Sequence, residues 1–327
     1  MQKHKKCLLA LLLFLVFPVM SSAEPEKLTK RQILRAEDIR TYDYPIHEQS
    51  RPWLIEEFGP GKKYPINLTK TTKNIVWQTR EAIRKGEREP IIGIIRTFWY
   101  THIKPVYSRT DSLNKESDQS EILSEVLVEL VRDRNIMRYK DMGFIDNNEG
   151  NREIGKNWNI MLLGEKHGTY AALRRIAKEL DCTVLTLGGQ PSLLSMEYLV
   201  DEYKERGIDI RSKIYVVFVV DYDPAGWIIR ESVLKNLKFY GMSNLRPIDI
   251  IVPEILTKEE LELAKFPLPT KQEKLNQRWL EKTQGIRGQL YGFESDSLPF
   301  KRLREKILEV STPHLRKVSQ IVLGGEE

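Results

Sequence analysis

The residues of this sequence best suited to chemistry are Asp221 and Asp223, which follow the apolar run 214–220 (IYVVFVV). A Val-rich run that ends at turn residues is typical of a strand buried on both faces of a parallel sheet. Alternate residues of a strand point to the same side, so the two carboxylates are expected there together. Adjacent carboxylates repel unless a proton or cation lies between them, and hard oxygen ligands suit Mg²⁺. The pattern predicts a metal site; the alternative is a helix N-cap beside a solvated Asp.

The surrounding elements predict an α/β domain in residues 156–327, with a helical C-terminal tail. Strand-like and helix-like segments alternate: strands are expected at 159–163, 182–187, 214–220 and 247–252, and helices at 170–180, 192–206 and 227–240. Such alternation favours a doubly wound parallel sheet, whose ligands bind at the carboxyl ends of the strands. Glu165 and the turn Gly188–Gly189 fall at these ends, as do Asp221 and Asp223.

The tail of this domain is expected to be helical. Thr257 and Glu260 have the spacing of a capping box for a helix at 258–265. Further helices are expected at 271–283 and 298–309, joined by a loop that reads GFESDSL.

Upstream, residues 71–155 predict a small, mainly helical domain. Helical stripes are expected at 74–85, 91–103 and 120–133, and a β-hairpin with an Asn-rich turn at 138–155. Helices followed by a hairpin are the order of a winged helix, a DNA-binding form of the helix-turn-helix. Residues 24–70 are expected to form an N-terminal arm, with a short helix at 30–40.

Residues 1–23 have the layout of a secretory signal peptide. A basic start is followed by the apolar run 7–20 and by Ser-Ser-Ala, and the apolar run is short for a membrane span. Export would conflict with a function on DNA, so a misplaced start codon and a membrane tether are the alternatives.

Cys7 and Cys182 are the only cysteines, which excludes a disulfide framework and a cysteine-based zinc site. The net charge of +6 permits a polyanionic partner without requiring one.

Motifs in the second half resemble those of the Toprim domain found in topoisomerases, primases and some nucleases. They read LLGEKHG at 162–168, TLGGQPS at 186–192 and VVDYDPAG at 219–226. Upstream, RTFWY at 96–100 resembles the segment of the topoisomerase VI A subunit, and of the related meiotic double-strand-break transesterase, in which an Arg lies four residues before the nucleophilic Tyr. The resemblance covers about residues 70–310. Trp99 departs from it, since Tyr or Phe is usual there, and the signal-like segment is foreign to the family.

This resemblance implies a DNA-cleaving isomerase of the type IIB class. Tyr100 would be the nucleophile, with Arg96 beside the phosphate or the phenolate, and Glu165, Asp221 and Asp223 would bind Mg²⁺ or Mn²⁺. The Tyr would end joined to a 5′ phosphate of double-stranded DNA, at a site completed across a homodimer. The family's ATPase is a separate GHKL-type B subunit, which fits the lack of a Gly-rich ATP motif here. This function implies a cytoplasmic location, at the nucleoid.

Four further residues are weaker candidates for a functional role. Lys166 and His167 are candidates to contact DNA phosphate, or else solvated loop residues. Tyr107 is a second candidate nucleophile, and Glu294 resembles an acidic position of the family. Tyr100 and Trp99 are core aromatics if the resemblance is set aside.

The alternative functions are a Toprim nuclease, which hydrolyses DNA with metal and water, and a non-catalytic DNA-binding protein.

Overall fold

The computed structural model describes residues 68–109, 120–189 and 191–316, together with Pro52. These residues belong to one of two units into which the chain divides, residues 39–327. The other unit, residues 1–38, lies outside the described residues, as do the signal-like segment and the helix predicted at 30–40.

The helical part of the described chain follows the predicted stripes. Its elements are α1 (Leu68–Arg84), α2 (Ile95–Phe98), α3 (Lys104–Arg109) and α4 (Glu121–Val128). A π-helical turn, Trp99–Ile103, joins α2 directly to α3, and a second one, Glu129–Asp133, extends α4. The apolar stripes of these helices meet in one core, which includes Val76, Phe98 and Leu127. Each helix forms here because one of its faces is buried against the others.

The β-hairpin predicted at 138–155 is wrong. That segment contains 3₁₀ turns at Lys140–Met142 and Glu149–Asn151, and its only strand is β1 (Arg152–Glu153). Its extended residues pair with distant partners instead of with each other: β1 pairs with the segment around Leu185, and the backbone N–H of Ile145 donates to the carbonyl of Gly93 at 3.0 Å. Tertiary partners therefore decide the pairing of this segment.

A mixed sheet forms the centre of the second half. Its other strands are β2 (Asn157–Gly164), β3 (Cys182–Thr186), β4 (Ile214–Val219) and β5 (Leu245–Asp249). The order is β1-β3-β2-β4-β5, in which β2 to β5 are mutually parallel, as predicted, and β1 is antiparallel to β3. The antiparallel edge was not expected, because a strand of two residues leaves no alternating pattern to detect.

Helices cover both faces of this sheet. They are α5 (Tyr170–Leu180), α6 (Leu193–Glu205), α7 (Pro224–Phe239), α8 (Lys258–Ala264), α9 (Glu273–Thr283) and α10 (Phe300–Ser311). α5 and α10 pack on one face, and α6 and α7 on the other. A small antiparallel pair, β6 (Phe266–Pro267) with β7 (Tyr291–Gly292), completes the fold. No helix within the described ranges is long and apolar enough to cross a membrane.

Packing continues across the border predicted between residues 155 and 156. Leu193 and Leu194 of α6 belong to the core of the helical part. The fully buried carboxylate of Glu197, also on α6, accepts hydrogen bonds from the backbone N–H groups of Tyr139 at 3.2 Å and Lys140 at 2.9 Å. The helical part and the sheet are therefore joined by buried contacts, apolar and polar.

The capping box predicted at Thr257 and Glu260 is confirmed, and it makes part of the stability depend on pH. The Glu260 carboxylate accepts hydrogen bonds from Arg302, at 2.9 Å, and from the Thr257 backbone N–H, at 2.8 Å. The bond from Arg302, with that from Thr257, lowers the pKa of Glu260 from 4.5 to about 2. Because the folded-state pKa lies below that of the unfolded chain, this stabilisation is present above pH 4.5 and is lost as the pH falls toward 2.

Glu260→Gln is therefore expected to lower the urea midpoint above pH 4.5 and to differ less and less from the wild type toward pH 2. Glu259→Gln is the matched control, because Glu259 lies on the same helix, is exposed and forms no ion pair with the residues that the structure describes. A gap between Glu260→Gln and the wild type that stays constant from pH 5 to about pH 2 would contradict the assignment.

Candidate functional site

The candidate site lies at the carboxyl edge of β2 and β4. These neighbouring parallel strands end at the same level, since Gly164 pairs with Val219. Glu165 follows β2, and its backbone N–H donates to the carbonyl of Val219 at 3.2 Å. Asp221 and Asp223 follow β4 and lead into α7. The parallel pairing thus brings together acidic residues that are more than fifty positions apart in sequence.

Hydrogen bonds hold each of these carboxylates in place. Glu165 Oε2 accepts from the backbone N–H of Asp221 at 3.1 Å. Asp223 Oδ1 accepts from the backbone N–H of Gly226 at 2.7 Å, which makes Asp223 the N-cap of α7. The N-cap alternative considered from the sequence is therefore confirmed for Asp223. Capping commits one carboxylate oxygen and does not remove the side chain from the cluster.

Asp221 is held by a segment that lies far along the chain. Its Oδ1 accepts hydrogen bonds from the backbone N–H of Ser295 at 2.8 Å and from the Ser295 hydroxyl at 2.7 Å. Ser295 reaches this position because Tyr222 and Phe293 exchange backbone hydrogen bonds of 3.0 and 3.2 Å. Sequence reasoning missed Ser295; a serine in a loop carries no signal of its own.

Electrostatics at the edge reflect burial and mutual repulsion. Burial raises the pKa of Glu165, and the charges of Asp221 and Asp223 add to the increase, against the hydrogen bond from the Asp221 backbone, which lowers it. Burial is also the main cause that raises the pKa of Asp223, with the charge of Asp221 contributing. Placing a cation among these groups would relieve the repulsion.

Lys166 supplies positive charge to this edge. Its ammonium lies 3.2 Å from Asp221 Oδ2, 3.3 Å from Glu294 Oε2 and 2.9 Å from Asp296 Oδ2. Burial would lower the pKa of Lys166, but the hydrogen bond to Asp296 and the charge of Asp221 outweigh it, so the pKa is raised. Three carboxylates surround the Lys166 ammonium here. The contact predicted between Lys166 and DNA phosphate remains a prediction.

His167 packs on the glycine turn that follows β3. Its Nδ1 lies 3.1 Å from the hydroxyl of Thr186. Gly188 has a φ of 67°, and a Cβ there would come within 2.2 Å of His167 Nε2, so only glycine fits without displacing the imidazole. The backbone N–H of Gly189 donates to the carbonyl of Glu165 at 3.1 Å, which ties the turn to the acidic edge. A contact between His167 and DNA remains a prediction.

The chemistry of the acidic residues fits Mg²⁺, although their side chains do not form a coordination shell as placed. Carboxylate oxygens are the ligands this ion prefers, and Glu165 Oε1 has no hydrogen-bond partner among the described residues. Within the same residues, no group of three or more His, Cys, Asp or Glu side chains is arranged to hold a metal. The reason is visible in the contacts: Asp223 caps a helix, and Asp221 is shared by Ser295 and Lys166.

Tyr100 lies on the π-helical turn between α2 and α3 and is 41% exposed, whereas the neighbouring Trp99 is buried. The core-aromatic alternative therefore holds for Trp99 and not for Tyr100. π-Helical turns change the direction of side chains within a helix and are frequent at functional sites. The side chain of Tyr107, the second candidate nucleophile, lies outside those described.

Cations flank the Tyr100 ring on both sides along the helix. Arg96 Nη2 lies 3.2 Å from the phenolic oxygen, as the four-residue spacing predicted. Lys104 Nζ lies 4.8 Å from the ring centre. Lys104 was missed in the sequence, although its position four residues after Tyr100 was a usable signal. Arg96 and Lys104 therefore place positive charge on both sides of the tyrosine.

Fold and site together define a mixed α/β protein with an acidic cluster at the carboxyl edge of its parallel strands and an exposed, cation-flanked tyrosine. No protein-family model matches the chain, and a search of curated proteins finds no match.

Proposed function

We propose that this chain cleaves double-stranded DNA by Mg²⁺-dependent tyrosine transesterification, in the manner of the topoisomerase VI A subunit. In this proposal the helical part acts as a DNA-binding region, without the hairpin of a winged helix, and the α/β part acts as a Toprim domain. The observation that carries the proposal is the meeting of Glu165, Asp221 and Asp223 at one sheet edge. The exposed Tyr100, in contact with Arg96, supports it.

The residues take distinct roles in the proposed step. The Tyr100 oxygen loses its proton to solvent, with Arg96 and Lys104 favouring the phenolate, and attacks the scissile phosphorus. A bond forms between the tyrosine oxygen and phosphorus while the bond from phosphorus to the 3′ oxygen breaks. The 3′ oxygen leaves with the bonding electron pair and takes up a proton, and the 5′ phosphate stays on the tyrosine.

Glu165, Asp221 and Asp223 would hold Mg²⁺, or Mn²⁺ in its place, which supplies charge stabilisation at the phosphate and at the departing oxygen when bound. Ser295 holds Asp221 in place at the acidic edge, and Lys166 compensates the charge of Asp221. A homodimer, a separate GHKL-type ATPase subunit and a cytoplasmic, nucleoid location belong to the proposal through the resemblance.

The test is incubation of the full chain with supercoiled plasmid and Mg²⁺ or Mn²⁺, followed by denaturation and recovery of DNA that travels with protein. Linear DNA with protein covalently attached to its 5′ ends is the expected result. Cleavage that leaves no attached protein would indicate a Toprim nuclease. Salt-dependent DNA binding without breakage, unaffected by either ion, would indicate a non-catalytic DNA-binding protein.

A further inference from the structure

A cavity of about 750 Å³ opens beside the acidic edge, and no role has been assigned to most of its wall. It lies beyond the carboxyl ends of β4 and β5, between the start of α7 and residues 279–288. Asp221 and Asp223 belong both to its wall and to the acidic cluster. Its volume is within the range of about 300–1,000 Å³ common for small-molecule sites.

Aromatic side chains in fixed positions form part of the wall. Tyr222 is half-buried, and its hydroxyl lies 3.1 Å from the carbonyl oxygen of Thr283 and 3.0 Å from that of Gly285, so its one proton is donated to either or shared between them. Its ring meets that of the buried Trp279 edge to face, with centres 5.3 Å apart. Trp227, on the first turn of α7, is also half-buried and lines the cavity, and the guanidinium of Arg278 lies 5.8 Å from its ring centre. The cavity thus offers flat apolar surface that is ordered before a ligand arrives.

The loop after α9 keeps its shape through unusual backbone angles. Gln284, Gly285, Arg287 and Gly288 all have positive φ, between 51° and 77°. Gln284 is the residue that ends α9, where a left-handed conformation is usual. Arg287 adopts this conformation at a cost that other contacts must offset. All four residues line the cavity.

The cavity wall carries four basic residues, of which Lys258 and Lys282 have no carboxylate partner among the described residues and Arg287 lies 3.5 Å from Glu262. It also carries five carboxylates, those of Asp221, Asp223, Glu231, Asp249 and Glu254. Arg230 also lines the cavity, but its guanidinium is neutralised by Asp249, at 2.7 Å, and by Glu231. Lys258 and Lys282 are exposed, and neither has a carboxylate within 4.0 Å in the described part of the chain. Lysines without carboxylate partners beside flat aromatic surface suit a ligand that combines a ring with an anion.

We propose that this cavity binds one nucleotide, with its base against Trp227 and Tyr222 and its phosphate near Lys258 and Lys282. The source of that nucleotide rests on the proposed function. A DNA strand whose backbone lies at Asp221 and Asp223 has its next nucleotide beside the cavity, where the base would stack on protein after leaving the duplex. A free nucleotide has the same chemistry and is the other possible source.

Binding of labelled DNA to the full chain at fixed salt, measured in EDTA and again with Ca²⁺, tests the inference without any need for cleavage. The probes are a duplex with one unpaired thymidine, the same duplex fully paired, and dTMP as competitor. The wild type is expected to bind the duplex with the unpaired base about tenfold more tightly than the paired one. Trp227→Ala is expected to abolish that preference, and Trp227→Phe, which keeps a ring, to retain most of it.

Lys258→Ala combined with Lys282→Ala is expected to weaken binding and to reduce its salt dependence. Lys301→Ala is the matched control, because Lys301 is an exposed lysine outside the cavity wall. These exposed lysines can be replaced without disturbing the core, so the test survives if Trp227→Ala does not fold.

The outcomes distinguish a nucleotide of the DNA strand from a free nucleotide. They also distinguish a failure of this inference from a failure of the proposed function. Displacement of the duplex by dTMP, lost in Trp227→Ala, assigns the cavity to a free nucleotide. Preference for the unpaired base without competition by dTMP assigns the cavity to a nucleotide of the DNA strand. Equal binding of both duplexes together with no competition by dTMP, or lysine variants that match Lys301→Ala, would overturn the inference. A wild type that prefers the unpaired base but never cleaves plasmid refutes the proposed function alone, because these measurements need no cleavage.

Discussion

Tyr100→Phe is expected to abolish the covalent attachment of DNA and to reduce cleavage by at least about a thousandfold, since it removes only the attacking oxygen. Tyr100 is exposed and its hydroxyl contacts Arg96 on the surface of the helix, so the fold should tolerate the change. The measurements are plasmid cleavage and the yield of protein-linked DNA after denaturation, with DNA binding measured in parallel.

Tyr291→Phe is the matched control for Tyr100→Phe. Its ring is also flanked by a lysine, with Lys265 Nζ 4.9 Å from the ring centre, and it lies outside the proposed machinery. It is expected to cleave as the wild type does. If Tyr100→Phe cleaved at the wild-type rate and left no protein on the DNA ends, the tyrosine would have no chemical role, and metal-dependent hydrolysis would replace transesterification.

Asp221→Asn is expected to weaken Mn²⁺ binding and to lower cleavage about a hundredfold or more, because one charged ligand of the cation is lost. The substitution keeps the shape of the side chain, and its Oδ1 still accepts the bonds from Ser295, at 2.8 and 2.7 Å. The loop that carries Ser295 should therefore stay in place. Calorimetric titration with Mn²⁺ measures the ion directly, and plasmid cleavage measures its consequence.

Asp296→Asn separates this effect from a general loss of negative charge. Asp296 is exposed and contacts the same Lys166 ammonium, at 2.9 Å, but it is not one of the proposed ligands. Its substitution is expected to leave Mn²⁺ affinity and cleavage close to those of the wild type. Equal Mn²⁺ affinity in Asp221→Asn and the wild type would exclude Asp221 as a ligand, whatever the cleavage assay gave.

The helices and the parallel strands could be predicted from the sequence because their signal is local. Hydrophobic periodicity marks α5 at 170–180 and the apolar run of β4, and the turn residues after each strand mark its end. The acidic residues could be placed at one edge for the same reason, since parallel strands put their carboxyl ends together. Glu165 and Asp221 are in contact as expected.

Contacts between segments that lie far apart in the sequence could not be predicted. The segment at 138–155 has the composition of a hairpin, but β1 finds a better-buried partner in β3. Likewise, nothing near Lys166 in sequence indicates that Glu294 and Asp296, about 130 residues later, would surround its ammonium. The exposure of Tyr100 depends on a π-helical turn, and the hydrophobic periodicity of the sequence does not indicate such a turn.

The sequence by itself thus determined which residues are candidates for chemistry and which strands position them, because side-chain alternation and burial act over a few residues. Only the tertiary structure decided how those residues are held: Asp221 by Ser295, Asp223 by the start of α7, and Tyr100 between Arg96 and Lys104. The reason is physical. Hydrogen bonds and ion pairs between remote segments form only after the core has brought their backbones together.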